Sequence, residues 1–107
     1  MMKRVIACTL AGMLSVSAFS CGVLAAERPS VEKGRQLFNS VTLAGATSGK
    51  SCNSCHPKGS GLEKGWKHPN LSGQINTCIA GPLQGTKLDV NSVAMHSLIL
   101  YIRSLKQ

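Results

Sequence analysis

The chain has 107 residues, of which 43% are hydrophobic, 15% are charged and only 4% are aromatic. It is too short for two ordinary domains, and its low charge content with long apolar stretches excludes an intrinsically disordered chain. The net charge is +8, but there is no nucleic-acid-binding motif, so we expect no nucleic acid partner.

The first 26 residues have the composition of a secretory signal sequence. Lys3 and Arg4 precede an uncharged apolar stretch, residues 5–26, that ends in small side chains. This order predicts export to the periplasm and cleavage, which leaves residues 27–107 as one domain without membrane association. Two alternatives remain open, because the uncharged stretch is long enough to stay as a membrane anchor and Cys21 is a candidate for lipidation.

Helical periodicity is clearest towards the two ends of the mature chain. Residues 31–38 are predicted to be a short helix, with Ser30 as a candidate N-cap. Residues 92–105 are the strongest predicted helix, capped by Asn91 or Ser92, because apolar side chains repeat there at helical spacing: Met95, Leu98, Ile99, Ile102 and Leu105. The segment between them is rich in glycine and has no strand-like alternation, so we predict mostly loops and an all-α domain.

The residues Cys52, Cys55 and His56 have the C-x-x-C-H spacing of a covalent c-type haem attachment site. Two thiols three positions apart on one helical turn can form thioethers with the two vinyl groups of one haem. His56 then follows as the proximal iron ligand. A zinc site would need a second pair of ligands, and a thioredoxin-like pair would need a preceding strand, whereas residues 45–50 are predicted to be a loop. We therefore predict one haem c.

In order and spacing, the chain resembles a small monohaem class I cytochrome c over residues 31–105. The C-x-x-C-H motif carries the resemblance, residues 34–38 resemble the N-terminal helix motif, and residues 98–105 resemble its partner helix, with Tyr101 as the aromatic residue. The resemblance implies three to five short helices wrapped around one covalently attached haem. It also implies that Gly34 lets the two terminal helices cross closely.

Residues 69–73 resemble the segment that follows the haem site in that family. In the family a proline carbonyl accepts a hydrogen bond from the proximal histidine. The resemblance implies that Pro69 holds the Nδ1–H group of His56, which orients the ring and raises its donor strength.

The sixth iron ligand is where the sequence departs from the family pattern. Most members place a methionine shortly before the C-terminal helix, but residues 78–88 contain none. Cys78 is the distal ligand we favour, because it is the one mature cysteine left after thioether formation and exported proteins rarely keep an idle thiol. Met95 is the second candidate, although a methionine at helical spacing is more often part of a core.

Other roles stay open for the polar residues around this region. His68 could swing over the iron, and Asn76 or an empty sixth site would leave the haem open to small ligands. Cys78 could instead form an intermolecular disulfide that holds a dimer. His96 is expected to face solvent, and Trp66 either covers a haem edge or is a half-buried aromatic residue.

Two functions follow from these features. One haem in a small domain without a second catalytic motif predicts an electron carrier rather than an enzyme. Residues 75–102 partly resemble the cysteine-ligated haem domains of sulfur-oxidising cytochromes, namely the thiosulfate dehydrogenases and the A subunit of the Sox system, which implies oxidation of sulfur compounds as the alternative. Lysines near the motif predict acidic redox partner proteins: Lys50, Lys58, Lys64, Lys67 and Lys87.

Overall fold

The computed structural model describes residues 27–106, and the expected signal sequence and Gln107 lie outside this range. Four α-helices occur within it: α1 (Val31–Phe38), α2 (Cys52–Cys55), α3 (Leu71–Ala80) and α4 (Val93–Ser104). Short 3₁₀ turns occupy Leu43–Gly45, Pro57–Gly59 and Gly65–Lys67. This range contains no strand, so the expectation of an all-α domain is confirmed. It also contains no helix with the length and apolar character needed to cross a bilayer.

Serine side chains start both terminal helices. The Ser30 hydroxyl accepts a hydrogen bond from the backbone N–H of Lys33 at 3.0 Å, and the Ser92 hydroxyl accepts one from Met95 at 3.1 Å. Each bond satisfies a backbone donor that the first helical turn cannot pair internally. The predicted N-caps are therefore confirmed, with Ser92 rather than Asn91 capping α4.

Helices α1 and α4 cross at Gly34. A Cβ atom built on this glycine would lie 2.0 Å from the backbone oxygen of Ser97 and 2.7 Å from Cβ of Tyr101. Next to the crossing, the rings of Phe38 and Tyr101 pack with their centroids 5.0 Å apart. The backbone N–H of Ser30 also donates to the Ser97 hydroxyl at 3.1 Å. The predicted close approach of Gly34 to the C-terminal helix is confirmed.

Helix α3 corrects the expectation of a mostly loop-like middle. Gly73 and Thr77 lower its intrinsic helix propensity, which is why the sequence did not suggest it. Two features outweigh that cost: the Asn70 side chain caps the helix by accepting the N–H of Gly73 at 3.2 Å, and Ile75 and Ile79 are buried in the core. This helix supplies one wall of the cavity described below.

The loop before α4 is irregular, but the rest of the chain fixes it in place. The N–H of Thr86 donates to the carbonyl of Ala44 at 2.9 Å, and the N–H of Ser48 donates to the carbonyl of Leu83 at 3.2 Å. Gly85 is required for this close approach, since a Cβ atom there would lie 3.1 Å from the Ala44 oxygen. These contacts bury Leu83, which is 3% exposed.

Asn76 fastens α3 to the segment that leads into α4. Its side-chain amide donates to the carbonyl of Leu88 at 2.9 Å, and its Oδ1 accepts the N–H of Leu88 at 2.7 Å. Asn76 is buried, so its removal leaves both backbone groups of Leu88 without these partners. We expect Asn76→Ala to lower the free energy of unfolding by about 1–3 kcal/mol in chemical denaturation.

The matched control for this prediction is Asn39→Ala. Asn39 is exposed and its side chain makes one hydrogen bond, to the carbonyl of Arg35 at 2.8 Å. We expect this variant to stay within about 0.5 kcal/mol of wild type. Equal losses of unfolding free energy in the two variants would contradict the prediction, because the buried pair of Asn76 hydrogen bonds would then contribute no more than one exposed hydrogen bond.

Candidate functional site

An apolar cavity lies between α1, α2, α3 and α4. Its empty volume, which includes open space at the mouth, is about 720 Å³. Aromatic and aliphatic side chains from all parts of the described chain form most of its lining: Phe38, Leu62, Leu71, Ile75, Pro82, Leu83, Leu98 and Ile102. A flat apolar group is the kind of ligand such walls favour.

Cys52, Cys55 and His56 lie together on the cavity wall. Helix α2 is a single turn, so its first and last residues, Cys52 and Cys55, are one turn apart, as the sequence predicted. A capping box starts this turn: the N–H of Ser51 donates to the Ser54 hydroxyl at 2.9 Å. Ser51, which is buried, is thus the N-cap of the helical turn that carries both cysteines.

Cys78 reaches the same cavity from α3, facing a site that already holds two thiols. All three cysteines of residues 27–106 are free thiols. Burial, with a smaller contribution from the nearby Cys78, raises the pKa of Cys52 to about 11. Cys52 is therefore a neutral thiol at neutral pH.

The imidazole of His56 is held by a carbonyl four residues further along the chain. Its Nδ1 lies 3.0 Å from the backbone oxygen of Ser60. The hydrogen bond expected from Pro69 is thus made by Ser60 instead, and Pro69 is exposed. The physical reason is the tight turn after α2, in which Lys58 and Gly59 adopt left-handed backbone conformations and fold the chain back towards the ring.

The other candidate distal ligands that are buried do not line this cavity. Met95 is fully buried in the core of α4, as expected for a methionine at helical spacing. Asn76 has its amide group committed to the backbone of Leu88. Cys78 is therefore the candidate distal ligand that shares the cavity with His56.

The two remaining histidines lie on the surface. His68 is exposed, and its Nδ1 accepts the N–H of Asn70 at 3.0 Å, which holds the ring in the turn before α3. His96 is exposed on α4, as predicted. Neither histidine lines the cavity.

Trp66 is half-buried beside the cavity region rather than in its lining. The ammonium groups of Lys67 and Lys106 each lie 5.3 Å from the centre of its ring, within the range of a cation–π contact. Its indole Nε1 is buried and has no hydrogen-bond partner within residues 27–106. Buried donors of this kind are normally paired, so this indole N–H is an exception within the described residues.

The five lysines near the motif in sequence, one before it and four after it, are exposed. The ion pairs in residues 27–106 use other basic residues, since Glu27 pairs with Lys33 and Glu32 pairs with Arg35. The positive charge of the five lysines is thus uncompensated by carboxylates of the described chain.

No protein-family model, curated protein or solved structure matches this chain. Within residues 27–106, no group of three or more His, Cys, Asp or Glu side chains is arranged to hold a metal ion by itself. Function must therefore be inferred from the cavity and the residues in it.

Sequence reasoning missed two contributors to this site. Ser60 acts through its backbone carbonyl, and its residue type gives no signal for that role. Leu83 lies in the cavity wall because of the distant contacts of its loop, which the local sequence does not indicate. The turn glycines Gly59 and Gly61 were the available signal for a sharp reversal after His56.

Proposed function

We propose that this chain is an exported, periplasmic c-type cytochrome with one covalently attached haem, which carries single electrons between redox partners. The observation that carries the proposal is the gathering of Cys52, Cys55, His56 and Cys78 around one apolar cavity. In this proposal the helices take the arrangement of a small class I cytochrome c. When bound, the haem supplies one-electron redox chemistry through its iron.

The residues of the cavity fit such a group. Cys52 and Cys55 would hold it through thioethers, and both lie on the single turn that the spacing requires. His56 has its Nδ1 engaged with Ser60, which leaves Nε2 as the nitrogen available to iron. The apolar walls would keep water from the bound group.

Cys78 is the proposed distal iron ligand, and His56 is the proposed proximal one. A thiolate donor offsets the positive charge of ferric iron and should lower the reduction potential relative to a methionine ligand. The exposed lysines would attract acidic redox partners and speed their encounter at low ionic strength.

The test of this ligation is a substitution series at Cys78. We expect the wild-type protein to show a low-spin ferric spectrum without the band near the red end that marks methionine–iron bonding. Cys78→Met should raise the reduction potential, and Cys78→Ser should give a high-spin spectrum that changes on addition of small ligands. Visible spectroscopy and redox titration of the purified proteins measure both effects.

The control for the series is Met95→Leu, a volume-conserving change in the core. We expect it to leave the spectrum and the potential unchanged, because Met95 does not line the cavity. A spectrum that changes in Met95→Leu and not in Cys78→Ser would transfer the ligand role to Met95.

Oxidation of sulfur compounds is the second candidate function, and the presence of Cys78 in the cavity favours it. A simple assay distinguishes the two functions. An enzyme of thiosulfate-type chemistry would become reduced on addition of thiosulfate alone, and this reduction would be lost in Cys78→Ser. A carrier would accept electrons only from a redox partner or a chemical reductant.

A further inference from the structure

The turn that follows α2 has an unusual backbone at Lys58. This residue has φ of 53° and ψ of 29°, and Gly59 after it has φ of 84°. Glycine adopts such left-handed values freely, but a residue with a side chain adopts them at a cost. Some contact must therefore hold Lys58 in this conformation.

Asn53 provides that contact. Its side-chain Oδ1 accepts the backbone N–H of Lys58 at 2.7 Å, which ties the turn to the helix that bears both thiols. Asn53 is half-buried, and it occupies the first variable position of the C-x-x-C-H motif. The two bonded residues are five positions apart, and His56 lies between them in the sequence.

The turn brings one carbonyl to the imidazole of His56. The Ser60 oxygen lies 3.0 Å from Nδ1, and a carbonyl can only accept, so Nδ1 carries the proton and Nε2 keeps a free lone pair. The backbone then runs beside the ring: a Cβ atom built on Gly61 would lie 3.4 Å from Nδ1. The orientation of His56 and its tautomer therefore depend on the shape of this turn.

We propose that Asn53 is a positioning residue for His56, acting through Lys58 and the carbonyl of Ser60. This inference rests on the proposed function, since it assigns Asn53 the task of presenting Nε2 of His56 to iron. The C-x-x-C-H motif thus carries its own orienting side chain between the two cysteines. Pro69, exposed and without a bond to the ring, has no part in this arrangement.

The experiment uses the full chain purified from an exporting host, with three variants. Asn53→Ala removes the acceptor, Asn53→Asp keeps an acceptor oxygen, and Asn91→Asp is a control that makes the same amide-to-carboxylate change at an exposed position outside the cavity lining. Nuclear magnetic resonance measures hydrogen exchange of the Lys58 amide and of the His56 ring proton, and identifies the carbonyl that accepts it. The reduction potential is measured on the same samples.

In Asn53→Ala we expect the Lys58 amide to exchange about fivefold faster, the factor that corresponds to losing one hydrogen bond of about 1 kcal/mol. The His56 ring proton should also exchange faster, and the potential should rise because the imidazole becomes a weaker donor. Asn53→Asp should restore both exchange rates, and Asn91→Asp should leave both unchanged. A merely structural role for Asn53 would lower the melting temperature without moving the ring proton or the potential.

Three outcomes separate failure of this inference from failure of the proposed function. Purified wild-type chain without covalent haem would overturn the proposed function, and the inference with it. Haem-bearing protein in which the ring proton is bonded to Pro69 would overturn the inference alone. Haem-bearing protein in which Asn53→Ala changes neither the ring proton nor the potential would do the same.

Discussion

Replacing Cys52 or Cys55 with alanine should impair covalent haem attachment and leave little stable protein. Each thiol lines the cavity and would form one of the two proposed thioethers. The walls of that cavity include core residues such as Phe38, Leu98 and Ile102, which would face an unfilled space without the group. A core in a domain of this size rarely supplies more than about 3–5 kcal/mol, so under the proposed function the bound group would contribute a large part of the stability.

The measurement combines haem staining after denaturing electrophoresis with thermal unfolding followed by circular dichroism. We expect the melting temperature to fall by roughly 12–24 °C, which corresponds to a loss of about 3 kcal/mol in a domain of this length. Cys78→Ser is the control for removing a cavity thiol, because it should retain covalent haem. A haem-free wild-type chain that unfolds sharply at the temperature of the haem-bearing protein would contradict the prediction.

The second large effect is expected at the helix crossing, where Gly34→Val should separate α1 from α4. Even the first side-chain carbon would lie 2.0 Å from the backbone oxygen of Ser97, and a backbone atom cannot move aside as a flexible side chain can. We expect a loss of about 3 kcal/mol, the upper end of the usual cost of overpacking. Because Phe38 packs on Tyr101 and also lines the cavity, the ligand site should loosen as well.

Gln36→Val is the matched control for this prediction, since it places the same β-branched residue at an exposed position of α1. Its cost should be limited to helix propensity, below about 0.7 kcal/mol. Thermal unfolding of the two variants side by side measures the difference. If Gly34→Val melted together with Gln36→Val, the described crossing of the two helices would be wrong.

The terminal helices could be predicted from the sequence, whereas α3 could not. Helices α1 and α4 combine a serine cap with apolar residues at helical spacing, so local signals and burial agree. Helix α3 has Gly73 and Thr77 within it, and its stability comes from burying Ile75 and Ile79 against distant parts of the chain. Such tertiary contacts leave no local mark in the sequence.

Part of the candidate site could also be predicted from the sequence, and part of it could not. The spacing of Cys52, Cys55 and His56 is local, and a single helical turn follows from it. The partner of the His56 ring could not be predicted, because a carbonyl belongs to every residue and only the backbone conformation of Lys58 and Gly59 selects the one at Ser60. Resemblance to a family suggested Pro69, a residue that this chain leaves exposed.

The position of α4 in the chain has a consequence for the order of assembly. Leu98 and Ile102 close one wall of the cavity, and they belong to the last of the four described helices in chain order. Their docking onto Phe38 must bridge some sixty residues, which makes it a late, non-local step of folding. Until α4 docks, the cavity is open on that side, so a ligand as large as the proposed haem would enter before the fold closes around it.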